Sequence, residues 1–160
     1  MQHHPIHQDK QPRRFNFPTR EWLDFVWRFH HIIQMSGATI KPVSWIGSNY
    51  KDFREFPDPV QDSMGYALYQ AQIGLKHGSV KPLKGFGGTG VLEVVADHVG
   101  DTFRAVYTVK FATAVYVLHA FQKKSKSGIK TPTEEMDLIR RRLRAAEADY
   151  KMQLEQGKAS

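Results

Sequence analysis

The chain has no cysteine, which excludes disulfide cross-links and thiolate metal sites and fits a reducing compartment. It has no run near the ~18 consecutive apolar residues that a membrane span needs. Its first residues, MQHHPIHQDKQPRRF, lack the short apolar stretch of a signal peptide. The expectation is therefore a cytoplasmic protein with no membrane partner. HExxH and GxSxG patterns and close carboxylate clusters suited to magnesium are missing as well. The glycine-rich segment VKPLKGFGGTG at 80–90 has neither the GKS or GKT ending of a P-loop nor GxGxxG spacing after a strand. His3, His4 and His7 have no carboxylate or cysteine neighbours in a defined frame. No cofactor and no metal are expected.

What is present is enough for one respectable core: 160 residues, 41% hydrophobic and 12% aromatic. The net charge of +7 is uneven. Residues 1–40 carry five basic and three acidic groups (+2), 41–100 six and six (0), and 101–160 twelve and seven (+5). A basic C-terminal third suits a polyanion, since each neutralised phosphate releases counterions, and it equally suits a solvated surface.

Residues 1–40 read as an N-terminal extension, partly disordered over 1–18 and then helical, with Trp22, Phe25, Val26, Phe29, Ile32 and Ile33 at three- and four-residue spacing. Its apolar stripe would dock on the domain, a partner or a membrane surface. Met35 is an alternative start, which would leave residues 1–34 outside the natural protein. From 41 to 155 a single domain is expected. Lys41–Ile46 reads as a short strand and Tyr50–Phe56 as a short helix. Asp58-Pro59-Val60-Gln61 reads as a helix start with Asp58 as N-cap, followed by Val60, Met64, Ala67, Leu68, Ala71 and Leu75 on one face. The glycine-rich segment reads as a flexible loop presenting Lys81 and Lys84.

Val91–Ala96, Phe103–Val109 and Val115–Phe121 are three β-type runs with hairpin-length connections, which predicts an antiparallel meander. Alternation puts Arg104, Val106 and Thr108 on one face, with Phe103, Ala105, Tyr107 and Val109 on the other. In the third run Val115, Val117, His119, Phe121 and Lys123 share parity. The basic loop KKSKSGIK, with Lys124 and Lys126, leads to a capping box at Thr131-Pro132-Thr133-Glu134. The helix that follows has a seam at Met136, Ile139, Leu143, Ala146 and Tyr150, and should fray after Leu154. Arg140, Arg141, Arg142 and Arg144 read as its outer face, solvated or gripping phosphate.

The chemistry left by elimination is cationic: Lys84, Arg104, Tyr107, His119, Lys123 and Lys124. Such a set suits phosphoryl transfer on RNA, where the substrate's 2′-hydroxyl is the nucleophile and the protein moves protons and stabilises phosphate charge. A lysine crowded by cations gives up its proton more easily and can serve as base. His119 in an apolar strand reads either as a hydrogen-bonded core residue or as a catalyst. Tyr107 reads as core or as a base-stacking surface. Arg104 needs a partner or an open site.

KPVSWIGSNYKDFREFP, LKGFGGTGVLEVV, FRAVYTV and YVLHAFQKKSKSGIKTPTEEMDLIRRRL, in that order, resemble the phage-derived HigB-like family of the RelE/ParE toxin superfamily over about Lys41–Tyr150. The resemblance implies an α+β fold, β-α-α-β-β-β-α, with a curved antiparallel sheet packed on helices. It implies the toxin of a type II toxin–antitoxin system, with a helix-turn-helix antitoxin of HigA type as partner. RelE-side members cut mRNA on the ribosome without metal, through 2′-hydroxyl attack and a cyclic phosphate product. On that pattern Arg104 meets phosphate charge, Lys123 or Lys124 transfers a proton or binds phosphate, and Lys84 positions RNA. His119 fits the family's LH-x-F pattern as a further catalytic candidate, and Lys81, Tyr107 and Lys126 fall on the RNA-binding side. Two alternatives remain: a ParE-like, non-enzymatic toxin that binds a protein such as DNA gyrase, and an inactive RNA- or protein-binding module.

Overall fold

A computed structural model describes residues 39–123 and 132–158. The N-terminal helix over Trp22–Ile33, the lysines Lys124 and Lys126, and the cap at Thr131 lie outside the described residues. The elements run β1 (Val43–Trp45), α1 (Asn49–Arg54), α2 (Asp58–Gln72), β2 (Val80–Pro82), β3 (Val91–His98), β4 (Asp101–Thr108), β5 (Val115–Lys123) and α3 (Thr133–Lys158). The expected α+β class holds: a curved five-stranded sheet packs against helices.

The strand order is β1-β5-β4-β3-β2. The sheet is mixed rather than wholly antiparallel, because β1 pairs with β5 in parallel while β2, β3, β4 and β5 pair antiparallel. The start of the glycine-rich segment is also not a loop. Val80–Pro82 forms β2, an edge strand three residues long. A proline is tolerated there because an outer edge asks for no ladder N–H.

Alternation then sorts the side chains into two cores. Val94, Phe103, Ala105, Tyr107, Val115, Val117 and Ala120 meet Phe53 and Phe56 of α1 and Val60, Met64, Leu68 and Ala71 of α2. On the other face Val91, Val106, Tyr116 and Leu118 meet Ile139 and Ala146 of α3. Met64, Leu68, Leu118 and Ile139 are fully buried. Each such side chain contributes roughly 1.5–3 kcal/mol of transfer free energy. An aromatic chain, Trp45–Phe53–Phe56–Phe103, with centroids 4.9–5.7 Å apart, ties α1 to the sheet.

Two helix boundaries differ from expectation. Pro57, not Asp58, occupies the N-cap of α2, placing Asp58 and Pro59 in the first turn. Gln61 donates from Nε2 back to the Phe56 carbonyl at 2.7 Å, so it still serves the helix start. At the other end of the chain α3 continues past Leu154 to Lys158, while Met152 and Leu154 stand exposed.

A β-bulge changes the parity of β5. Val106 pairs with His119 and Tyr107 with Val117, so Leu118 is the extra residue. Leu118 and His119 therefore both turn toward α3, and Phe121 and Lys123 follow His119 rather than Val115 and Val117.

The β3–β4 hairpin closes through Val99 and Gly100, both at positive φ (48° and 82°) between the paired His98 and Asp101. A β-branched residue is strained there, and Val99 is 89% exposed with nothing to gain from burial. Val99→Asn supplies the residue this turn favours and should stabilise the fold by about 1 kcal/mol, read as a higher urea midpoint at unchanged slope.

Candidate functional site

The register gathers four of the six expected site residues that are described, Lys81, Arg104, His119 and Lys123, on the α3 side of the sheet. Directly paired residues share a face, which gives three successive rows. The first is Lys81–Glu93–Val106–His119, the second Val95–Arg104–Phe121, and the third Asp97–Thr102–Lys123. Arg104 and Lys123 thus lie on one face, one diagonal step apart. Lys81 shares that face across Glu93 and is exposed. Lys84 is exposed in the connection after β2, where Gly85 lies against α3. A Cβ at Gly85 would stand 3.0 Å from Met136 Cε, and φ there is +90°, so glycine is needed for the loop to seat.

Tyr107 does not belong to this face. Its ring lies in the core against α1 and α2 with no exposed surface, because β4 alternates and Tyr107 has the opposite parity to Arg104. As a base-stacking residue it is ruled out by that placement. Burial pushes its hydroxyl up to about 12. That hydroxyl makes no hydrogen bond to a described residue. Tyr107→Phe removes a desolvated polar group and should raise stability by about 1 kcal/mol, measurable by urea unfolding.

Arg104 is 6% exposed, and its Nη1 donates to Glu93 Oε2 at 2.6 Å. Glu93 is the carboxylate that the sequence reading missed. Its signal was present: Val91, Glu93 and Val95 have one parity, and a charge between two valines on an inner strand calls for a partner on the next strand. The Asp97 carboxylate likewise accepts from Thr102 Oγ1 at 2.6 Å, beside Lys123.

His119 is 7% exposed, and its ring stacks on Phe121 at 4.7 Å. Arg142 Nη1 lies 2.9 Å from Nδ1 and also donates to Asn49 Oδ1 and, at 3.1 Å, to the Leu118 carbonyl. An arginine can only donate, so Nδ1 holds the lone pair and the imidazole proton is on Nε2, facing Glu135 Oε2. Burial lowers the His119 pKa; the Glu135 and Asp52 carboxylates oppose that fall and Arg142 adds to it. The neutral ring thus spends its lone pair on Arg142 and its N–H on Glu135. In this arrangement both ring nitrogens of His119 are engaged within the protein, and the side chain ties β5 to α3.

Asn49 completes the junction by donating to the carbonyls of Ile46 (2.7 Å) and Val117 (3.1 Å). The Arg142 guanidinium also lies over Gly47, where a Cβ would come within 3.4 Å of Nε. Burial lowers the Arg142 pKa, with the Asp52 and Glu135 carboxylates acting against it. The sequence did not single out Asn49 or Glu135, and it offered Arg142 only as part of an outer face, solvated or gripping phosphate. Arg142 was legible in principle: it is three residues after Ile139 and four before Ala146, hence on the packed side of α3 rather than its outer face. Arg140, Arg141 and Arg144 are exposed as expected, Arg140 pairing with Asp137 at 2.9 Å and lying over the Phe86 ring.

Among the described residues no group of three or more His, Asp or Glu is placed to hold a metal ion, and no helix is long and apolar enough to cross a membrane. A family model described as "Phage derived protein Gp49-like (DUF891)" matches residues 51–144, more than half of the chain. That family is associated with RelE-like toxin–antitoxin proteins. No curated protein and no solved structure matches the chain. The matched span runs from within α1 to the middle of α3, including Glu93, Arg104, His119, Lys123 and Arg142. With four of the five strands and the first half of the C-terminal helix inside that span, the chain belongs to the phage-derived Gp49-like family.

Proposed function

We propose that this protein is the toxin of a type II toxin–antitoxin system, of HigB type, and that it cleaves ribosome-bound mRNA in the cytoplasm without a metal ion. The observation that carries the reading is the placement of Arg104 and Lys123 on one face of the sheet, with Glu93 and Lys81 beside them. In the proposed reaction the 2′-hydroxyl of the substrate attacks the adjacent phosphorus. The P–O5′ bond breaks, leaving a 2′,3′-cyclic phosphate and a 5′-hydroxyl. Arg104 stabilises the charge that builds on the phosphate oxygens. Lys123 or the following Lys124 delivers a proton to the leaving oxygen, and Glu93, the partner of Arg104, accepts the 2′-hydroxyl proton. Phe121 offers an aromatic surface directly across from Arg104. Lys84 and Lys126 hold RNA at the margins, and a helix-turn-helix antitoxin of HigA type neutralises the toxin.

The closed Arg104–Glu93 pair supports a second reading, in which the same face binds a protein such as DNA gyrase and cuts nothing. One experiment separates the two. Induced expression in a bacterial host arrests growth under both, and primer extension on cellular mRNA then shows cuts at codon boundaries under the first only. DNA-damage signalling without cuts favours the second reading, and an absence of any growth effect removes both.

A further inference from the structure

We propose that the first turns of α3 form a proton-operated latch: uptake of a proton at His119 Nδ1 expels Arg142 from that nitrogen and releases the N-terminal half of the helix from β5. The closed state is the one described above, with Arg142 Nη1 donating to Nδ1 at 2.9 Å and bridging to Asn49 Oδ1. A second state is already built into the same atoms. Asn49 Oδ1 lies 3.4 Å from Nδ1 and would accept the new N–H, while Nε2 keeps its bond to Glu135. Arg142 would lose Nδ1 and share Asn49 Oδ1 with the new donor, keeping the Leu118 carbonyl and, at 3.3 Å, Ser48 Oγ. An imidazolium and a guanidinium would then face each other donor to donor at 2.9 Å, and that like-charge contact drives Arg142 away from the ring.

The charges facing His119 decide which state holds. From α3 come Glu135, which favours the protonated ring, and Arg142, which opposes it. From α1 come Asp52, also favouring it, and the neutral Asn49. From the sheet, Phe121 stacks on the ring and Val106 faces it, with Glu93 the next residue along that row. Burial tips the balance toward the neutral, closed form at ordinary pH. Because the folded chain holds this proton less readily than the unfolded one, stability is full above the ordinary imidazole value of 6.5 and is lost as the pH falls below it. The loss is local because the far end of α3 has its own anchors. There Tyr116 donates to Asp149 at 2.7 Å, and Phe111 packs on Tyr150 at 5.0 Å. The released turns lie beside the His119–Phe121 stack, so opening widens the face that carries Arg104.

The test uses the full chain and needs no RNA, so it stands apart from the cleavage reading. His119 is titrated by NMR from pH 7.5 downward until its transition is complete, while amide exchange, corrected for intrinsic rates, is followed along α3. The expected result is a several-fold loss of protection over 133–146 that tracks the His119 titration, with β3, β4 and 147–158 unchanged. Glu135→Gln, which removes a charge favouring the protonated ring, should move that transition to lower pH. Protection of 133–146 that follows the sheet at every pH, or a transition unmoved by Glu135→Gln, would overturn the latch.

Discussion

Under the proposed reaction, Arg104→Ala is expected to reduce cleavage of ribosome-bound mRNA by about 100- to 1,000-fold, the loss typical of removing one group that stabilises transition-state charge. It should also destabilise the fold by roughly 3 kcal/mol, because Glu93, with only 16% of its side chain exposed, is left as an unpaired carboxylate on an inner strand. The two effects are separable. Arg104→Lys keeps a positive charge for Glu93 and most of the stability, but it loses the planar fork that grips two phosphate oxygens. Cleavage should therefore fall nearly as far in the lysine variant as in the alanine one, while the urea midpoint stays near that of the parent. Full activity in Arg104→Lys would mean that the residue acts only as a structural counter-ion.

The second large effect concerns stability alone. Arg142→Ala should destabilise by about 2–3 kcal/mol, since it strips a shared donor from Asn49 Oδ1, the Leu118 carbonyl and His119 Nδ1 at a half-buried junction. Arg141→Ala and Arg144→Ala, one and two residues away and exposed, should each stay within about 0.5 kcal/mol. Urea unfolding of the three variants side by side measures this. Equal behaviour across them would mean that the junction holds nothing together.

That contrast within one arginine run marks what the sequence makes legible. The three β-type runs, the short helix before Phe56, and the helices from Asp58 and Thr133 all follow from period and turn chemistry, and all are present. The parity of Arg104 against Tyr107 was also readable, and it correctly separates a face residue from a core residue once the core side is known. The bulge at Leu118 was not readable. A single extra residue in a strand leaves no mark in an apolar run such as VYVLHAF, yet it moves His119, Phe121 and Lys123 to the face of Arg104. The parallel pairing of β1 with β5 was hidden for a related reason, since strand order depends on which edge a distant segment reaches. Glu93 and Asn49 were visible as residues but not as partners, because Asn49 reaches Arg142 across 93 positions of sequence.

The proposed function rests on one sheet face, where Lys81, Arg104 and Lys123 lie together. Its most direct test is amide chemical-shift mapping with a short RNA made uncleavable by a 2′-deoxy residue at the scissile position. The predicted perturbations fall at Lys81, Glu93, Val95, Arg104, Phe121 and Lys123, and leave α1 and α2 unmoved. Shifts confined to the α1–α2 side, or none at a saturating concentration of RNA, would contradict it.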